Sequence, residues 1–170
     1  MTSFRNIITV LFLLLACFSC QNRKNQDPIA QLQEQLSRDS VTLSHIQQQY
    51  PENIKSDFHW CDSMLQYLPE DQIDECFAVL NLAQAYLNQF DEMLPVMQHT
   101  ISYSQQQLTY LKNDIDTHYI NDSLASAYLA DETAVADTLH HRILYFEDRL
   151  SHQEKELKTL RKTISKATSK

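Results

Sequence analysis

From residue 29 onward, apolar side chains recur every three or four positions. Ile29, Leu32, Leu36, Leu43, Ile46 and Tyr50 share one helical face, with Asp39 in the one polar slot. Ile54, Phe58, Cys61, Leu65 and Leu68 carry the same face past Pro51. No Ser, Thr, Asp or Asn stands just before Pro51 to cap a fresh helix, so one kinked helix is predicted rather than two. The next run is the most regular. Ile73, Leu80, Leu87, Leu94, Ile101, Leu108 and Ile115 are each seven residues apart. Three residues beyond each stand Cys76, Ala83, Phe90, Met97, Ser104, Leu111 and His118. An aliphatic residue at every first position of seven heptads marks a coiled-coil seam. Pro95 lies off this seam and is expected to kink the helix without shifting its register. A third run places Leu129, Ala136, Ile143, Leu150, Leu157 and Ile164 on one seam row. Ala125, Glu132, Leu139, Phe146, Gln153 and Leu160 form the other.

These patterns predict an all-α chain: an elongated, antiparallel, up-down-up three-helix coiled-coil bundle. Its helices run over about 28–68 (kinked at Pro51), 70–118 (kinked at Pro95) and 122–167. Pro69 marks the first turn, and Asn121 or Asp122 is the expected cap of the last helix. Folding the second and third helices about residue 120 brings Ser104 opposite Ala136, Met97 opposite Ile143 and Leu94 opposite Phe146. Small then meets small and large meets large, as interdigitating layers require. Charge points the same way. Glu70, Asp71, Asp74 and Glu75 open the second helix, and the third closes with Arg161, Lys162, Lys166 and Lys170. The expectation is that these clusters lie side by side, each also suiting its own helix dipole.

Composition narrows the picture in two respects. The 170-residue chain has no glycine and four prolines, where average usage of about 7% would give roughly a dozen glycines. Without glycine, tight hairpins and phosphate-cradling loops lose their usual residue. The net charge of −8 disfavours nucleic acid as a partner, since phosphate binding needs a basic face.

The first twenty residues read differently. Arg5 precedes an apolar run from Ile7 to Ala16 that is too short for a membrane-spanning helix. It ends in Leu14-Leu15-Ala16-Cys17, which resembles the lipobox of bacterial lipoproteins. The resemblance covers residues 1–20 alone. It implies a signal peptide over 1–16 and an acylated Cys17, with palmitate among the expected chains. Cleavage after residue 19 and acylation of Cys20 is the alternative, although Cys20 departs from the pattern with Cys17 and Phe18 before it. Residues 17–27 would then be a lipidated tether and 28–170 the helical domain. The location implied is a bacterial cell envelope, with the domain outside the cytoplasm and held to a membrane by lipid.

Candidate chemistry in the helices is sparse. Cys61 and Cys76 lie on seam positions equidistant from the Pro69 turn, and in an oxidising compartment they are expected to form a disulfide. The seven histidines suggest no metal set. His59 and Cys61, two apart, do not share a helix face. Asp114 and His118 beside Asp116 and Asp122 are the best local cluster, yet no second His- or Cys-rich element completes a tetrahedral site. No metal, cofactor or catalytic residue is therefore expected, and the chain reads as no enzyme. The buried polar positions Asp39, Ser104, Glu132 and Gln153 read as register-setting seam residues. The function expected is a structural or protein-interaction role with a protein partner. The alternative is a helical bundle that binds a ligand or metal.

Overall fold

The computed structural model describes residues 27–168, the side chain of Asp71 excepted. The expected signal peptide, Cys17 and Cys20 lie outside the described residues. Three helices follow one another: α1 Pro28–Met64, α2 Glu70–Asp116 and α3 Asp122–Thr168. They contain 37, 47 and 47 residues, so the longer two extend about 70 Å at ~1.5 Å per residue. All three pack against one another, and no strand occurs among the described residues. The predicted all-α three-helix bundle is the observed fold.

Each boundary has a local cause. Asp27 caps α1, its Oδ1 accepting from the Ile29 N–H at 3.0 Å, and Pro28 takes the first turn, where its missing N–H costs nothing. The α-helical part of α1 stops at Met64 rather than continuing to residue 68. Leu65–Tyr67 tighten into a 3₁₀ turn and Leu68 becomes extended, with ψ 152°. Leu68 precedes Pro69, whose ring disfavours the helical region for its neighbour. At the other end Asn121 is the cap, accepting from the Leu124 N–H at 2.9 Å. Both internal prolines are accommodated within their helices, Pro51 buried in α1 and Pro95 exposed in α2.

The seams make the core. Leu36, Ile46, Ile54, Phe90, Met97, Leu108, Ile143, Leu150 and Ile164 are all fully enclosed. The Phe90 and Phe146 rings meet edge to face with centroids 5.5 Å apart. That contact puts Phe90, rather than the expected Leu94, opposite Phe146, about one helical turn from the expected register of α2 on α3. The links between α1 and α3 join Gln35 to Asp137, Asp39 to His140 and Asn53 to Glu154. Numbers rise together on both helices, so α1 and α3 run parallel, as an up-down-up bundle requires.

Candidate functional site

Polar groups enter the core at a few levels, and α1 and α3 supply most of them. Asp39 is buried, and the His140 Nδ1–H donates to its Oδ1 at 2.7 Å. Its second oxygen, the Ser104 hydroxyl and the Gln153 carbonyl oxygen are enclosed without a protein partner among the described residues. Each is an acceptor or donor that a bound water would satisfy. Lower down, Asn53 Nδ2 donates to Glu154 Oε1 at 2.9 Å, and Lys158 pairs with the same carboxylate oxygen at 2.9 Å. Polar side chains on an apolar seam fix which residues face each other, because any slip strands them in hydrocarbon.

The Pro69 end carries the densest cluster. Arg161 Nη1 donates to Asp57 Oδ1 at 2.5 Å, and its guanidinium lies 4.8 Å from the centre of the Trp60 ring. Sequence charge matched Arg161 with the acidic start of α2. The structure gives it instead to α1, where a carboxylate and an aromatic face offer a less hydrated, stacked site.

Cys61 and Cys76 are both buried here and both are free thiols. The disulfide expected between them is not formed in this structure. Cys61 turns onto α3, its Sγ–H donating to the Leu157 carbonyl at 3.9 Å. A bridge needs Cα atoms within about 7 Å, closer than the ~8–10 Å at which helix axes pack. Burial pushes the Cys61 thiol up to about 11, aided by the Asp57 carboxylate and Cys76 and opposed by Arg161. Burial and then Glu75 raise Cys76 as well. Neither thiol is an activated nucleophile.

Beside Cys76, a groove of ≈ 300 Å³ opens between α2 and α3, floored by Leu68, Val79, Leu160 and Ile164. A second opening, between Tyr50 and α3, is lined by Glu147, Asp148, His152 and Lys155. The first groove also carries Glu75 and Glu156, so two carboxylates line each opening.

The Asp114 and His118 pair resolves into a helix end. His118 has φ 55°, and its N–H and that of Tyr119 close the last turn onto Ile115 and Asp114. Among the described residues no group of three His, Cys, Asp or Glu side chains is placed to hold a metal. No helix there is long and apolar enough to cross a membrane. Two features escaped the sequence reading: the α1–α3 polar links, which need the register between non-consecutive helices, and the left-handed turn at His118. The absence of glycine was a signal for the second, since some other residue had to take the positive-φ position that ends a helix. Compared with known proteins, the chain matches no family model, no curated protein and no solved structure.

Proposed function

We propose that this chain is a lipid-anchored coiled-coil protein of a bacterial cell envelope, with a structural or protein-interaction role and no catalysis of its own. The observation that carries the reading is the position of Asp27. Its carboxylate lies 3.8 Å from Lys112 Nζ, which also pairs with Asp116 at 3.2 Å. The start of α1 and the α2–α3 loop therefore share one end of the rod. A tether leaving Asp27 holds that end near its anchor and projects the Asp57, Trp60 and Arg161 cluster about 45–50 Å away. Such a shape suits presenting a surface at a distance, and the lipobox-like Leu14-Leu15-Ala16-Cys17 supplies the anchor.

Membrane fractionation of cells expressing the full chain tests this reading. Cys17→Ser is expected to abolish acylation, moving the protein out of the membrane fraction or leaving it unprocessed, whereas Cys20→Ser is expected to change neither. Membrane retention and acylation that survive both substitutions would overturn the anchor. The ligand-binding alternative draws on the apolar groove beside Cys76. A small molecule retained in stoichiometric amount by the purified protein, read by native mass spectrometry, would favour it.

A further inference from the structure

Among the described residues, the three-helix core leaves large apolar side chains uncovered. Apart from Val41 on α1 and Tyr67 in the first turn, the exposed large apolar side chains fall on α2, α3 and their loop. On α2 all but Phe77 are ordered. Leu82, Val96, Tyr103 and Tyr110 are 47–54% exposed and stand at multiples of seven residues. Half-buried Val79, Tyr86 and Met93 alternate with them, also seven apart. Gln89, Thr100 and Gln107 complete ten positions in unbroken three- and four-residue steps. This is a second heptad seam, roughly 100° around the helix from the one that faces α1 and α3. Seven of its ten positions are apolar or aromatic, and the core uses none of the outer row. On the adjoining flank of α3, Tyr145 meets the Tyr86 ring at 6.4 Å and Arg149 lies over Tyr145 at 5.5 Å.

We infer that this α2 seam is the interface for a second copy of the chain, docked parallel and in register about a twofold axis along the rod. The inference rests on the interaction reading above and names its partner. Two observations select this occupant. The seam matches itself: in a parallel pair Leu82, Val96 and Met93 each meet their own counterpart. Gln89, Thr100 and Gln107 each meet a side chain that can return a hydrogen bond, so no layer sets polar against apolar. An antiparallel pair centred on the seam would set Leu82 against the partner's Gln107. Size also agrees. The seam from residue 79 to 110 is about 46 Å long and, with the α3 flank, covers roughly 600–700 Å² per copy. A standard specific interface buries about 800 Å² per partner. Two chains anchored at the same end in one membrane already stand parallel, which raises their effective concentration.

The test places a photo-reactive benzoylphenylalanine at Tyr103 of the full chain in intact cells, with and without Val96→Asp. The expected product is a covalent pair of two copies, joined within a turn of residue 103 on each, by mass mapping. Val96 is exposed, so Val96→Asp should leave the helical circular dichroism unchanged while lowering the yield of pairs about tenfold or more. A pair joined near residue 86 would overturn the parallel arrangement. A yield indifferent to Val96→Asp would overturn the seam. An adduct with a different protein would overturn the second copy yet leave the interaction reading standing, whereas no adduct at all would count against both.

Discussion

Cys61 illustrates what one buried side chain contributes and how it reports. It is wholly enclosed, and its thiol keeps its proton up to about pH 11 against 9.0 for a free cysteine. Between those values the folded chain holds a proton that the unfolded chain has released. The stabilising contribution is therefore intact below pH 9 and disappears as pH rises through about 11, a loss of about 2–3 kcal/mol. Urea midpoints followed from pH 8 to 11 should fall more steeply for the native sequence than for Cys61→Ala. Curves of equal slope would place the alkaline sensitivity elsewhere. Asp39 is the opposite kind of residue. It interrupts an otherwise apolar row, which was visible in the sequence, but its partner His140 stands 101 positions away and is identified only by the register between α1 and α3.

Among the elements, α2 shows how a glycine-free chain ends a helix. The residue after Thr117 must turn left-handed so that the following N–H groups can reach back to the last carbonyls, and His118 takes that conformation at φ 55°. A side chain with a Cβ pays roughly 1 kcal/mol there, which glycine avoids. His118→Gly should therefore stabilise the protein by about 0.5–1 kcal/mol in thermal or urea unfolding, with no change in helix content. A destabilised variant would mean that the imidazole makes a contact worth more than the strain. Helix ends in general were the least legible part of the sequence. The α-helical part of α1 stops at Met64 because Pro69 acts backwards on Leu68, an effect that periodicity alone does not register.

For the whole molecule the consequence is a rod. Three helices of 37 to 47 residues, two of which pass unbroken through an internal proline, leave no means of folding into a compact globule. Small-angle scattering of the chain without its first 26 residues should give a maximum dimension of about 70 Å, whether one copy is present or two lie side by side. A particle of roughly 45 Å would require breaks at Pro51 and Pro95 and would refute the architecture. The charge pattern belongs to this scale too. The acidic start of α2 and the basic end of α3 do come to the same end of the rod, yet Arg161 is held by Asp57 and Trp60 of α1. Net charge by segment indicated which ends meet. It did not indicate which side chains pair, because that depends on how the helices are rotated.

What the sequence by itself determined is the set of helices, their approximate lengths, the core-facing rows and the antiparallel order. Each of these follows from period and from chain connectivity, which are local properties. The tertiary structure decided the rest. It paired Asp39 with His140 and Asp57 with Arg161, and it turned Cys61 onto Leu157. It also showed that the row through Leu82, Val96, Tyr103 and Tyr110 faces outward. An apolar heptad row has the same spacing whether it lines a core or a surface. Only the placement of the other two helices around α2 distinguishes a buried seam from one left open.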